Sequence, residues 1–340
     1  MTTEILPTHT AALFATAVNH AVALLRAGAV VALPTETVYG LAANALDASA
    51  VAQIYKIKDR PSHNPIIVHV ADAEMAQRCV TDWPSGAARL ARSFWPGPLT
   101  LVLPRAGIIP DIVTAGGATV GVRWPSHPFM QAVIRACGFP LAAPSANQSN
   151  ALSPTNAEHV RKQLGGKLAL IVDGGQSQVG IESTVIDLVA QPPRVLRPGM
   201  IHEESLLAAL GEGGATFHDD AAKQNAGELR SPGLLKKHYA PRARLVVRGW
   251  RDAADLNRQL STCNLEYSQI HIIAHSHIPG GDGFGAVSVI PHDAAAFARA
   301  IYAELHRCDE AGAALIVVEA LPAGAEWRAI SDRLTRAAAD

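Results

Sequence analysis

The sequence predicts a two-domain α/β protein, in which a mixed α/β domain precedes a smaller, mainly parallel α/β domain. Three observations carry this expectation. The chain has 340 residues, 49% of them hydrophobic, and a single core rarely keeps growing at that size. Short apolar, β-branched runs alternate with stretches of helical periodicity. Between residues 211 and 230 that periodicity is lost and Gly, Asp, Asn and Ala dominate, which marks a linker. The expected organisation is a first domain at 10–210, a linker at 211–242 with a docking segment at 231–241, and a second domain at 243–340.

In chain order, Leu13, Phe14, Ala17, Val18, Val22 and Leu25 recur at helical spacing up to Gly28, so a helix is predicted over 10–27. Residues 29–33 are apolar, partly β-branched and stopped by Pro34, which reads as a buried strand delivering the polar loop Thr35-Glu36-Thr37-Val38-Tyr39-Gly40. Further strands are expected at 66–70, 100–103, 119–122, 141–143, 170–172, 184–186 and 194–196, with helices at 48–58 and 128–137. The linker ends in Ser231-Pro232-Gly233-Leu234-Leu235-Lys236-Lys237-His238-Tyr239-Ala240-Pro241, whose prolines, cations and aromatic suit a docking segment. Beyond it, strands are predicted at 244–248, 270–274, 286–290 and 314–319, and helices at 252–260, 294–307 and 326–338.

Composition excludes several classes. Cys79, Cys137, Cys263 and Cys308 lie far apart with no C-x-x-C pair, so neither a zinc site nor a disulfide framework is suggested, and buried thiols are expected. A net charge of −1 argues against a surface built to coat nucleic acid. Apolar runs are cut before about 18 residues, and the opening MTTEILPTHT has no basic segment followed by an apolar one, so a cytoplasmic protein is expected. There is no G-x-x-x-x-G-K-[ST], G-x-G-x-x-G or G-x-S-x-G pattern. His271, His275 and His277 have no matching carboxylate or cysteine pattern, so no metal ligand is assigned there.

Three constellations remain. Lys56-Ile57-Lys58-Asp59-Arg60-Pro61-Ser62-His63-Asn64-Pro65 sets cations and an amide in a loop before a strand, where α/β domains bind ligands, although a solvated loop has the same composition. In that strand His69 shares a face with Ile67, while Val68 and Val70 face the other way. A satisfied core histidine is its default reading. Residues 140–155 run from a strand into hydroxyls and amides that suit a phosphate, with helix capping the plain reading of Ser153-Pro154-Thr155. Finally, Arg123, Glu182-Ser183-Thr184 and Arg197 each stand beside an apolar strand. Together they predict a shared cleft in which arginine would hold carboxylate or phosphate.

The strings Pro34-Thr35-Glu36-Thr37-Val38-Tyr39-Gly40-Leu41, Lys58-x-Arg60-Pro61 with Asn64-Pro65, Phe94-Trp95-Pro96-Gly97-Pro98-Leu99-Thr100, Ala143-Pro144-Ser145-Ala146-Asn147 and Glu182-Ser183-Thr184 together resemble the threonylcarbamoyl-AMP synthase family. Residues 231–241 and Ala329-Ile330-Ser331-Asp332-Arg333-Leu334 resemble its longer, two-domain type. The resemblance implies a YrdC-like mixed twisted sheet and a Rossmann-like C-terminal domain. It implies synthesis of threonylcarbamoyl-AMP from L-threonine, bicarbonate and ATP with Mg²⁺, for tRNA modification next to the anticodon with a downstream transfer complex. The family's K-x-R and S-x-N signature falls on Lys58, Arg60, Ser145 and Asn147 as catalytic residues. The threonine site maps to Thr37, His69, Arg123, Ala143 and Ser183, and the ATP site to Arg60, Asn64, Thr119, Ser145, Ser153, Arg197 and Tyr239. Tyr239 is implied to close over the nucleotide, with 231–241 as a candidate lid. The chain departs from the family at Ala42 and Asp59, where glycine is usual, and at Leu234, where methionine is common. The alternatives are a non-catalytic RNA-binding module and a carbamoyl-adenylate-forming relative.

Overall fold

Among the described residues, ten short strands build the sheet of the first unit: β1 (Glu4–Pro7), β2 (Val31–Leu33), β3 (Gly40–Asn44), β4 (Val68–His69), β5 (Leu99–Pro104), β6 (Thr119–Arg123), β7 (Leu141–Ala142), β8 (Leu170–Asp173), β9 (Thr184–Asp187) and β10 (Arg194–Arg197). They lie in the order β1-β8-β2-β3-β7-β4-β6-β5-β9-β10, with parallel and antiparallel pairs mixed. The structure is a computed structural model that describes residues 2–211, 238–280 and 283–339. It divides into two units, Met1–Ser149 with Ser153–Leu234, and Asn150–Leu152 with Leu235–Asp340. Residues 231–237, the larger part of the expected docking segment and lid, lie outside the described residues.

The main core gathers buried residues of the strands and of the helices packed against them. Thr10 caps the helix Ala11–Arg26 by accepting from Leu13 N, and Phe14 meets Phe129 of the helix Pro128–Cys137 edge-on, with ring centroids 5.2 Å apart. Val68, Leu101, Val122 and Ile171 supply the strand side of this core. Strand alternation sends the intervening residues to the other face. There Ile67, Val102 and Val185, with Leu196 packed on them, form a small separate apolar floor. Gly121 is part of it, since a Cβ there would stand 3.2 Å from Thr100 Cγ2 and 3.5 Å from Ile67 Cγ1.

Several elements differ from expectation. β1 pairs in parallel with β8, Glu4 opposite Leu170, so the first domain begins before residue 10. β3 continues the loop after Pro34, and helices Ala73–Arg78, Ser85–Phe94, Asp111–Thr114 and Glu203–Leu210 were not expected either, whereas Ala157–Leu164 is the helix that the capping reading of Ser153-Pro154-Thr155 implies, its cap being Asn156. The strand expected over 66–70 is regular only at Val68 and His69.

The helix Ala48–Lys58 ends at Asp59, which is left-handed with φ 53° and ψ 48° and exposed. That conformation explains why glycine would suit the position, because only glycine adopts it without steric cost. Asp59→Gly is expected to raise stability, because relief of roughly 1–2 kcal/mol of left-handed strain exceeds the roughly 0.5–1 kcal/mol entropic cost of glycine, read as a higher midpoint in thermal unfolding.

The second unit is a four-stranded parallel sheet of β11 (Arg244–Arg248), β12 (Ile270–Ala274), β13 (Ala286–Val289) and β14 (Leu315–Glu319), ordered β11-β14-β12-β13. Helices Ala253–Leu260, Ala294–Glu310 and Arg328–Ala337 accompany it. Trp250, Leu256, Leu260, Ile270, Ile272, Leu315 and Val317 form a core on it. At the carboxyl ends of its strands the buried Glu319 carboxylate accepts from the backbone N–H groups of His275, Ser276 and His277. Glu319 thus caps a turn. Cys79, Cys137 and Cys308 are buried as expected, whereas Cys263 is partly exposed.

Candidate active site

The second face of the large sheet carries several of the polar residues singled out in the sequence. His69 lies opposite Arg123 in the parallel pair β4–β6. The antiparallel β5–β6 register, Leu101 opposite Val122, sets Thr100 beside Arg123. Thr100 Oγ1 is 2.9 Å from Ser183 Oγ. Ser183 O and Oγ in turn accept from Arg197 Nε at 3.1 Å and Nη2 at 3.0 Å. A bulge in β10 between Val195 and Arg197 makes this possible, because the extra residue re-aims the arginine while Leu196 joins the apolar floor. His69, Arg123, Thr100, Ser183 and Arg197 therefore form one row across neighbouring strands. Gly199 packs directly behind it, since a Cβ there would lie 2.3 Å from Thr184 N.

Arg123 is buried and ion-paired: its Nη2 donates to Glu36 Oε1 at 2.7 Å and its Nε to Gly97 O at 3.4 Å. Glu36 is the residue that sequence reading missed. It sits between Thr35 and Thr37, in a loop fixed by Val179 N and Gly180 N donating to Glu36 O and Thr37 O. Thr35 Oγ1 donates to Val38 O at 2.6 Å and receives the Thr37 hydroxyl at 3.0 Å. Burial opposes ionisation of Glu36, but Arg123 beside it, with the N–H groups of Glu36 and Ser126, holds its carboxyl below the usual range.

His69 is 3% exposed, and its Nδ1 has no hydrogen-bond partner. Burial, reinforced by the Arg123 charge, pushes it down to about 3, so it is neutral. The unfolded chain binds a proton near 6.5 that the folded chain refuses until about 3. Stability therefore falls as pH drops through that window, by up to about 1.4 kcal/mol per pH unit from this group. Urea unfolding between roughly pH 7 and pH 4 should show an acid slope smaller by about that amount in His69→Gln.

A second cluster surrounds Lys58, which is 1% exposed. Its Nζ donates to Ser145 O at 2.5 Å, Asn147 O at 2.6 Å and Asn147 Oδ1 at 3.2 Å. An ammonium has three N–H bonds, so all are committed to one loop. Burial and the nearby Arg60 charge hold Lys58 well below its ordinary value. Arg60 donates from Nε to Asn64 O at 3.1 Å and from Nη2 to Pro65 O at 2.7 Å. The loop is also fixed from behind, by Leu41 N on Pro144 O, Ala146 N on Tyr39 O and Ser149 N on Lys58 O.

Ala143 N donates to Ile67 O, next to the floor. Thr119 opens β6 on the Gly121–Arg123 face. Asn64 is buried, with its Oδ1 unpartnered. Ser153 Oγ donates to Glu182 Oε1 at 2.5 Å, a contact the capping reading did not foresee. Tyr239 belongs to the second unit, where it has φ 60° and Arg333 Cζ lies 5.1 Å from its ring centre. Among the described residues, no group of three His, Cys, Asp or Glu side chains is placed to hold a metal ion.

Comparison with known proteins follows the same division. A family model described as "Telomere recombination", for the Sua5, YciO and YrdC proteins, matches residues 23–199. One described as "Threonylcarbamoyl-AMP synthase, C-terminal domain" matches residues 201–339. The threonylcarbamoyl-AMP synthase of Pyrococcus abyssi is 37% identical over 93% of this chain and 92% of its own. That of Bacillus subtilis is 47% identical over 68% of this chain and 66% of its own. The crystal structure of P. abyssi Sua5 complexed with L-threonine superposes with a TM-score of 0.89 at 35% identity, covering 99% of this chain and 98% of that one. The chain therefore belongs to the threonylcarbamoyl-AMP synthase family of nucleotidyl-transferring enzymes.

Proposed function

We propose that the enzyme joins L-threonine, bicarbonate and ATP into threonylcarbamoyl-AMP, with loss of pyrophosphate, and that the polar face of the large sheet is where it does so. The observation that carries this reading is the buried row of His69, Arg123, Ser183 and Arg197 on one sheet face, in a unit whose signature loop is pinned by Lys58. The similarity to a threonine-complexed structure supports threonine as the amino acid. The threonine ammonium and bicarbonate would give a carbamate, water and one proton. A carbamate oxygen would then attack the α-phosphorus of ATP and expel pyrophosphate. Such an anion needs no serine or cysteine nucleophile; it needs alignment and charge neutralisation.

Arg123 offers Nη1 to the substrate carboxylate, since its Nη2 and Nε serve Glu36 and Gly97. Neutral His69 would meet a polar group of the substrate with Nδ1, as donor or acceptor according to its tautomer. Thr37, Ala143 and Ser183 would complete the amino-acid end. Arg60, Asn64, Thr119, Ser145, Ser153 and Arg197 are proposed for ATP. Lys58, one of the catalytic residues of the signature, is proposed to act by holding the Ser145–Asn147 loop in place. Mg²⁺ is proposed to enter on the ATP phosphates, the usual habit of this ion, and would neutralise their charge. Hand-over of the product to a transfer complex acting on tRNA, in the cytoplasm, completes the proposal. Among the described residues no helix is long and apolar enough to cross a membrane. The test is incubation with ATP, threonine and ¹³C-bicarbonate, followed by mass spectrometry. A labelled threonylcarbamoyl-AMP is expected, and an unlabelled adenylate would refute the carboxylation step.

A further inference from the structure

Two buried polar atoms at the amino-acid end of the site have no protein partner, Glu36 Oε2 and His69 Nδ1. Glu36 is 5% exposed and Arg123 4%. A buried carboxylate oxygen without a hydrogen bond is disfavoured, and a buried ion pair does not by itself stabilise a fold. The backbone N–H groups of Glu36 and Ser126 favour the ionised carboxylate, yet neither reaches Oε2 with hydrogen-bond geometry. Among the described residues, Arg123 is the cation whose charge acts on Glu36. His69 and His127 both feel the Glu36 charge, but burial lowers both and leaves them neutral. Around Glu36 the inventory is its own negative charge, the positive charge of Arg123 and neutral hydrogen-bonding groups.

That inventory complements a zwitterion. An amino acid carries a carboxylate and an ammonium on one carbon, and here a guanidinium and a carboxylate are held side by side at 2.7 Å. One guanidinium nitrogen, Nη1, and one carboxylate oxygen, Oε2, remain for a ligand. We infer that Glu36 receives the α-ammonium of the amino-acid substrate on Oε2 while Arg123 takes its carboxylate, so that Glu36 selects ligands that carry an amine. This rests on the reading of threonine as substrate. The rigid backing of the Thr35–Thr37 loop by Val179 and Gly180 fits the role, because an unpaired carboxylate must be kept from turning toward other donors. The bland alternative makes Glu36 only a counter-ion for Arg123.

Calorimetric titration of the full chain with L-threonine and with 3-hydroxybutanoate, which is threonine without its amine, separates the two. The unsubstituted protein is expected to prefer threonine at least tenfold, about 1.4 kcal/mol. Glu36→Gln should lose at least tenfold for threonine while 3-hydroxybutanoate binds as well or better, since repulsion of its carboxylate is relieved. A purely structural role would weaken both ligands alike, and that result would overturn the inference, as would unchanged threonine affinity in Glu36→Gln. Should Glu36→Gln fail to fold, Glu36→Asp carries the test: it keeps the charge and should bind threonine more weakly while retaining a preference for the amine-bearing ligand. Equal binding of the two ligands by Glu36→Asp would count against the proposal. If the unsubstituted protein binds no threonine, the substrate reading falls and this inference with it.

Discussion

Replacing Lys58 by methionine is expected to reduce threonine-dependent pyrophosphate release at least a thousandfold, although the side chain keeps its length. The reason is the loop it holds. Without the ammonium, Ser145 O, Asn147 O and Asn147 Oδ1 lose their donor in a buried place, and each orphaned acceptor costs about 1–3 kcal/mol. The loop would relieve that cost by moving, and a shift of about 1 Å in a reacting constellation is enough for a hundredfold loss. Loss of the buried charge adds to this. Lys56, exposed on the same helix, serves as control: Lys56→Met should leave turnover unchanged. The comparison is made by steady-state pyrophosphate release from both variants, with circular dichroism to confirm that each is folded.

Arg123→Leu is expected to destabilise the protein by about 3–5 kcal/mol, because Glu36 would remain buried without its counter-charge. Turnover at subsaturating threonine should vanish with it. The double variant Glu36→Leu with Arg123→Leu should regain most of the stability, since removing both charges avoids the desolvation penalty, but none of the turnover. Urea denaturation of the two single variants and the double variant measures the coupling. A double variant as unstable as Arg123→Leu alone would mean that packing, and not the charge pair, sets the cost.

These two residues also show what the sequence made legible. Lys58 and Arg123 stand out in one dimension because they adjoin apolar segments, and strand alternation placed His69 on the Ile67 face. Local patterning was equally informative for the helices Ala48–Lys58 and Pro128–Cys137, whose limits match the periodicity. Partners distant in sequence were not legible. Glu36 meets Arg123 across 87 positions, and Ser153 meets Glu182 across 29, so no spacing rule announces either pair. β1 escaped notice because four residues ending in proline carry little strand signal, and its partner β8 lies far downstream. β3, Gly-Leu-Ala-Ala-Asn, lacks the β-branched residues that mark strands, and neighbouring strands hold it. The bulge that aims Arg197 at Ser183 depends on pairing with β9. Asp59 was visible as an oddity, but its left-handed backbone was not.

The central claim is that this face carries out a carboxylation-dependent adenylation of threonine. Pyrophosphate release from ATP by the purified chain, with threonine and bicarbonate omitted in turn, tests it most directly. Release that requires both substrates is the expected result; release that persists without threonine, or without bicarbonate, would contradict the account.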